Sequence, residues 1–126
     1  KLYLANKVKL ALRLSLDGAY IPAFNKSFNV NSYSLKRGFT LIGSAHNLKE
    51  IRNKELQKVS YLFLSPLFIT AKSKKNLGIY KFMNLSKKTR KKIVCLGGIN
   101  KDNIKKIDLI KPYGIAAISY FRKKQT

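Results

Sequence analysis

The chain has 126 residues, of which 45% are hydrophobic and 25% charged, and this composition is typical of a folded domain rather than of a disordered chain. Its net charge of +22, from 27 Lys and Arg against 5 Asp and Glu, favours anionic partners. A membrane-spanning helix needs about 20 apolar residues, and no apolar run here is that long. The chain also does not begin with a signal-peptide pattern, so we expect no membrane partner.

The positive charge is open to two interpretations. A nucleic-acid surface would use it for phosphate contacts, whereas a biased, Lys-rich composition would produce it without such a partner. Lys outnumbers Arg and is spread along the whole chain, although specific phosphate recognition favours the planar guanidinium of Arg. Because the chain also has no RNA-recognition motif or helix-turn-helix pattern, we expect small anionic substrates and no specific nucleic acid.

The chain has a single cysteine and a single histidine. Cys95 lies in an apolar, strand-like run, so we expect a buried, unreactive thiol and no internal disulfide. His46 cannot form a metal cluster with Cys95 alone. These features fit a protein of the reducing cytoplasm.

The predicted elements alternate between strands and helices. In chain order they are a strand at 2–5, a helix at 7–15, a strand at 18–22, a polar loop with a short helix at 23–38, a strand at 39–44, a helix at 47–58, a strand at 61–64, a loop at 69–77, a helix at 78–90, a strand at 92–96, a helix at 100–110 and a strand at 114–119. Asn47 and Glu50 form a capping-box pattern at the start of one helix.

Apolar strands separated by helix-length segments predict a parallel sheet covered by helices, in an α/β fold. Two architectures remain open on this pattern alone, an open doubly wound sheet and a (β/α)₈ barrel. No Gly-x-Gly-x-x-Gly motif follows the first strand, so a dinucleotide-binding sheet is not indicated.

The segment Leu96-Gly97-Gly98-Ile99-Asn100 ends one predicted strand and leads directly into a predicted helix. Glycines let the backbone approach a ligand closely, and a helix N-terminus offers free N–H groups to an anion. A tight turn without a ligand would give the same pattern. Ile118 and Ser119 end the next strand, and barrels often hold a phosphate between the loops after their last two strands. Together the two strand ends predict a phosphate site.

A third segment, residues 64–74, joins the end of a strand to a loop rich in hydroxyl groups and lysines. It includes Thr70, Lys72 and Lys74. Hydroxyl and ammonium groups on such a loop suit a diphosphate leaving group, although a solvated surface loop has the same composition.

Five segments resemble, in the same order, segments of the thiamine phosphate synthase/TenI family. They are Asp17-Gly18-Ala19-Tyr20-Ile21 (Asp-Gly-Val-His-Leu in the family), Ile42-Gly43-Ser44-Ala45-His46 (Ser-x-His), Ser65-Pro66-Leu67-Phe68-Ile69-Thr70 (Gly-Pro-Val-Phe-Pro-Thr), Leu96-Gly97-Gly98-Ile99 (Ile-Gly-Gly-Ile) and Gly114-Ile115-Ala116-Ala117-Ile118-Ser119 (Gly-Val-Ala-Val-Val-Ser). The resemblance covers almost the whole chain. It implies a (β/α)₈ TIM-barrel fold with about six of eight β/α units, strands three to eight, in one partial domain spanning residues 1–126.

The resemblance also implies an activity. Family enzymes join hydroxymethylpyrimidine diphosphate to thiazole phosphate, release diphosphate and use Mg²⁺. The implied positions are Gly97, Gly98, Ile99, Ile118 and Ser119 at the thiazole phosphate, Thr70 nearby, Ser44 with Lys72 or Lys74 at the diphosphate, and Asn6 on the pyrimidine side. The implied chemistry is dissociative, so it needs charge stabilisation and positioning more than a strong base.

Several positions depart from the family pattern. Lys7 stands where the family has an Asp that helps bind Mg²⁺, and Asn25 stands near a second expected Asp. Two interpretations therefore stay open: a synthase, or a TenI-like or catalytically degenerate barrel that binds thiazole phosphate without synthase activity. The chain begins with Lys1 and lacks the first two β/α units, so we expect a fragment or a homo-oligomer that supplies them.

Overall fold

A computed structural model describes residues 1–70 and 74–117 of the chain. Its elements are β1 (Tyr3–Ala5), α1 (Val8–Arg13), β2 (Gly18–Ile21), a 3₁₀ helix (Asn29–Ser32), β3 (Thr40–Ala45), α2 (Leu48–Leu56), β4 (Tyr61–Leu64), α3 (Gly78–Ser86), β5 (Lys92–Leu96), a second 3₁₀ helix (Ile104–Leu109) and β6 (Gly114–Ala116). The strands follow one another in the sheet in chain order. The predicted α/β alternation is confirmed.

The chain divides into two compact units, Lys1–Leu62 and Phe63–Thr126. In the first unit, β2 pairs in parallel with β1 on one side and with β3 on the other, so that Gly18 lies between Tyr3 and Thr40. Apolar side chains of the strands and of α1 pack into one core. Its buried members are Ala11, Ala19, Ile21, Val30, Leu41 and Val59. This core follows from the apolar runs of the sequence.

In the second unit, β5 pairs in parallel with β6, with Val94 beside Gly114 and Leu96 beside Ala116. Buried apolar side chains come from the strand and from the elements around it. They are Leu64, Leu67, Phe82, Leu85, Ile93, Cys95, Ile99 and Ile107. The buried state predicted for Cys95 is confirmed, and burial raises the pKa of its thiol to about 11.

The start of α2 has the predicted cap but only half of the predicted capping box. Asn47 Oδ1 accepts a hydrogen bond from the backbone N–H of Glu50 at 2.9 Å. The Glu50 carboxylate reaches one residue further back, where it accepts from the backbone N–H of His46 at 2.9 Å and lies 3.0 Å from His46 Nδ1. The reciprocal bond therefore fixes the residue before the cap.

The helix predicted at 100–110 is present only in part, as the 3₁₀ helix Ile104–Leu109. Asn100 Oδ1 accepts from the N–H groups of Asp102 (2.8 Å) and Asn103 (3.1 Å), and Asn103 Oδ1 accepts from the N–H of Asn100 at 2.8 Å. These two reciprocal bonds form a capping box, and the N–H of Ile104 donates to Asn100 O at 3.0 Å, so one α-type turn precedes the 3₁₀ helix that starts at Ile104. The helix predicted at 78–90 is also shorter, since α3 ends at Ser86.

Candidate functional site

The turn after β5 contains two glycines in the left-handed region, with φ +111° at Gly97 and +67° at Gly98. A Cβ on Gly98 would lie 2.4 Å from the carbonyl oxygen of Ile69, and one on Gly97 would lie 2.7 Å from Pro66 Cα. Both distances are below van der Waals contact. The glycines therefore let this turn pack against the segment after β4, so the chain's own packing already requires them.

Hydrogen bonds hold that segment beside the glycine turn. The N–H of Leu67 donates to Leu96 O at 2.9 Å, and the N–H of Phe68 donates to Gly97 O at 3.0 Å. At the other end of the loop, the N–H of Gly78 returns to Leu67 O at 2.9 Å. Thr70 directly follows the residue packed on the second glycine, so the structure brings two of the predicted phosphate-binding positions, Thr70 and Gly98, together.

Backbone N–H groups around the turn differ in whether they are available to an anion. Within the described part of the chain, those of Gly98 and Ile99 have no hydrogen-bond acceptor. The N–H of Asn100 is already bonded to Asn103, whose side-chain amide also donates to Gly98 O at 2.8 Å. Because the described helix that follows is a short 3₁₀ helix beginning at Ile104, an anion would meet the two N–H groups of the turn rather than the positive end of an α-helix dipole.

The other predicted positions of the second unit are less defined by contacts. Lys74 lies on the surface of the loop after the hydroxyl-rich segment. Lys72, Ile118 and Ser119 lie outside the described residues. The convergence predicted between the two last strand ends therefore stays a prediction.

Two amides meet at the ends of β1 and β2 in the first unit. Asn6 follows β1 with φ +58°, and its N–H donates to Tyr20 O at 2.7 Å. The side-chain amide of Asn25 donates to Asn6 Oδ1 at 2.6 Å. The structure thus places Asn6, the residue predicted on the pyrimidine side, in contact with Asn25, one of the two positions that depart from the family pattern. Lys7 is exposed next to this pair, and Ser44 lies in β3 with only 5% of its surface exposed.

A buried polar network lies beneath the amide pair, and the sequence analysis missed it. Lys54 Nζ donates to Asn25 O and to Gln57 Oε1, both at 2.8 Å, and Gln57 Nε2 donates to Asn25 O at 2.9 Å and to Ser27 O at 2.8 Å. Lys54 is fully buried and Gln57 is 1% exposed. Burial lowers the pKa of Lys54, and the negative charge of Glu50 partly offsets this.

One sequence signal could have revealed the network. Lys54 and Gln57 follow the buried Ile51 at intervals of three, so all three lie towards one side of α2. The facing strand has a glycine at the matching place, and a Cβ on Gly43 would lie 2.6 Å from Lys54 Cδ. Gly43 therefore makes room for the lysine stem.

The network borders a small polar cavity of about 130 Å³. Its lining is rich in side-chain amides, has two hydroxyl groups and includes a few apolar residues. The polar members are Asn6, Asn25, Ser27, Asn29, Tyr33 and Gln57. A larger, more open cleft of about 330 Å³ adjoins it, lined in part by Lys7, Lys9 and Arg13. The first unit therefore offers amide and cationic groups to a ligand.

The first unit does not fit a protein-held Mg²⁺. Its three carboxylates are engaged elsewhere, with Asp17 accepting from the N–H of Leu2, Glu50 from His46, and Glu55 from Arg52. Across the described residues, no group of three or more His, Cys, Asp or Glu could hold a metal ion. Mg²⁺ prefers carboxylate oxygens, whereas the ends of β1 and β2 present amides beside ammonium groups.

Residues 1–121 match the model of a protein family described as thiamine monophosphate synthase (TMP-TENI). The chain belongs to this family. Thiamine-phosphate synthase of Prochlorococcus marinus is 34% identical over 122 residues, and that of a Psychrobacter species is 27% identical over 125 residues. Each alignment covers 94% of this chain, but only 34% and 58% of the respective relative. The chain thus spans roughly a third to somewhat over half the length of these family members.

A solved structure shows the same type of fold. The thiamine phosphate pyrophosphorylase of Pyrococcus furiosus superposes with a TM-score of 0.72 and 22% identity, covering 92% of this chain and 55% of that one. At this identity the likeness concerns the fold alone, and it supports the predicted TIM-barrel type. Among the described residues, no helix of this family member is long and apolar enough to cross a membrane.

Proposed function

We propose that the chain is part of a transferase that joins hydroxymethylpyrimidine diphosphate to thiazole phosphate and releases diphosphate, in thiamine biosynthesis in the cytoplasm. Membership of the thiamine monophosphate synthase family and the two relatives named thiamine-phosphate synthase support this activity. The observation that carries the proposal is that, among the described residues, the N–H groups of Gly98 and Ile99 beside the Thr70 segment have no hydrogen-bond acceptor.

The proposed phosphate end uses preorganised backbone donors. The turn is fixed by its packing on Ile69 and by the Asn103 amide, so two N–H groups are held ready without reorganisation when the thiazole phosphate binds. The hydroxyl of Thr70 and the backbone at Ile118 and Ser119 would complete the set of donors.

The proposed diphosphate end relies on cationic side chains. Lys72 and Lys74 would neutralise the leaving diphosphate as its bond to the pyrimidine methylene breaks, and Ser44 would donate to it. Asn6 would orient the pyrimidine. Mg²⁺ has no protein-held site in this proposal, because the described residues contain no group of His, Cys, Asp or Glu that could hold it.

Calorimetric titration with thiazole phosphate, with and without the pyrimidine diphosphate and Mg²⁺, tests the proposal. We expect saturable binding of thiazole phosphate, weakened several-fold by Lys74→Gln only when the pyrimidine diphosphate is also present. Lys49→Gln, at an exposed lysine of α2, removes the same charge and serves as the control. The absence of binding in every mixture would contradict the proposal.

A second candidate is a TenI-like or catalytically degenerate protein that binds thiazole phosphate without forming product. The absence of carboxylates beside Asn6 and Lys7 favours it. Incubation with both substrates separates the two candidates. Thiamine phosphate formed in proportion to enzyme supports the transferase, whereas binding without product supports the degenerate form.

A further inference from the structure

The loop after β2 is held from inside the core of the first unit. Its carbonyl at Asn25 accepts two hydrogen bonds, from Lys54 Nζ at 2.8 Å and from Gln57 Nε2 at 2.9 Å. Gln57 also holds Ser27 O at 2.8 Å. A fully buried lysine needs a specific reason, because its ammonium group gives up hydration that only good acceptors replace.

The same contacts occupy the oxygen atoms that a cation would need. A backbone carbonyl has two lone pairs, and both of those at Asn25 have a donor. Asn25 Oδ1 accepts from the N–H of Ser27 at 2.9 Å, and Asn6 Oδ1 accepts from the Asn25 amide at 2.6 Å. A divalent ion would have to displace these donors and lie close to an ammonium group.

We propose that Lys54 is a positioning residue that holds Asn25 against Asn6 and keeps a divalent cation away from that amide pair. Lys54 thereby takes the structural place of a bound metal ion, and Gly43 provides the space for its stem. This inference does not depend on the proposed transferase activity. It concerns the first unit without substrates, whereas binding of thiazole phosphate is tested at residues of the second unit.

Solution NMR of the 14.4 kDa chain tests the exclusion of a cation without any variant. On titration with Mn²⁺ to about 1 mM, a range in which many protein sites hold divalent ions, we expect the side-chain amide signals of Asn6 and Asn25 to broaden no more than that of the exposed Asn84. Selective, saturable broadening of the Asn6 and Asn25 signals would overturn the proposal.

A variant tests the positioning role. Lys54→Met keeps the length of the stem and removes the donor, so we expect the side-chain amide of Gln57 to exchange with solvent at least about tenfold faster, which corresponds to about 1.4 kcal/mol of lost protection. Lys49→Met serves as the matched control on the same helix and should leave the exchange unchanged. Unchanged exchange in Lys54→Met would overturn the positioning role, and if this variant does not fold, the Mn²⁺ titration of the unmodified chain still decides.

A gain of metal binding gives an independent measurement. In a chain carrying Lys7→Asp and Asn25→Asp, addition of Lys54→Met should tighten Mn²⁺ binding about tenfold or more, because it removes the competing ammonium group. Equal affinities with and without Lys54, or no binding in either variant, would overturn its role in excluding the ion.

Discussion

Substitution of Gly98 by alanine should destabilise the fold by an amount that its surroundings define. A residue with a Cβ in the left-handed region costs about 1–2 kcal/mol. The new Cβ would also lie 2.4 Å from Ile69 O and 2.9 Å from the carbonyl group of Phe68, and relief of such a clash costs about 1–3 kcal/mol. We therefore expect Gly98→Ala to lower the free energy of unfolding by about 2–5 kcal/mol in total.

Urea unfolding at equilibrium measures this loss, provided that the slope of the free energy against urea stays constant. Gly38→Ala is the matched control, because Gly38 has φ +84° and nothing within 4 Å of a Cβ, so it reports the backbone cost alone. If Gly98→Ala loses no more stability than Gly38→Ala, the packing of this turn on the segment after β4 is refuted. If Gly98→Ala is as stable as Gly38→Ala but binds phosphate weakly, the added Cβ acts on the ligand directly and not through the fold.

Two further predictions concern single side chains, Cys95 and Asn47, and a third concerns the net charge of the chain. Burial raises the pKa of Cys95 to about 11, so the thiol of the unfolded chain ionises at a lower pH than that of the folded chain. The stability contributed by the neutral thiol is therefore fully present below the ordinary pKa of 9.0 and is lost as the pH rises towards 11. The loss should reach up to about 3 kcal/mol relative to Cys95→Ala in urea unfolding, and parallel pH profiles of the two chains would contradict it. Asn47→Ala should cost about 1 kcal/mol through the lost cap of α2, and an unchanged free energy of unfolding would show that the 2.9 Å bond has no net value. Binding to random DNA should disappear by about 0.5 M salt, since we expect counterion release alone to drive it, and tight binding at that salt in a filter assay would restore the nucleic-acid interpretation.

Much of the fold could be predicted from the sequence because it depends on local patterns. Short apolar runs separated by helix-length segments predicted the parallel α/β sheet, and the structure has strands at each of the six predicted places. The glycine pair after the fifth strand marked a special turn. The capping role of Asn47 depends on neighbours three residues apart, so it was also visible in the sequence.

Local patterns do not decide the type and the start of the helix after the fifth strand. A helix starting at Asn100 fits the hydrophobic pattern of Ile104 and Ile107, and the side chains of Asn100 and Asn103 bond to each other's backbone as in a capping box, yet the helix that follows is a 3₁₀ helix over Ile104–Leu109. The proposed phosphate site therefore has no α-helix N-terminus among the described residues, and it depends on the N–H groups of Gly98 and Ile99.

Only the tertiary structure decided the remaining features, because they depend on residues far apart in the chain. The glycine requirement comes from Pro66 and Ile69, about thirty positions earlier. The buried Lys54 bonds to Asn25, 29 residues away, and a lysine in an amphipathic helix would otherwise be assigned to the solvent side. The sequence alone thus determined the order of elements and the family resemblance, whereas the contacts that hold the glycine turn and the amide pair arise only when distant segments pack together.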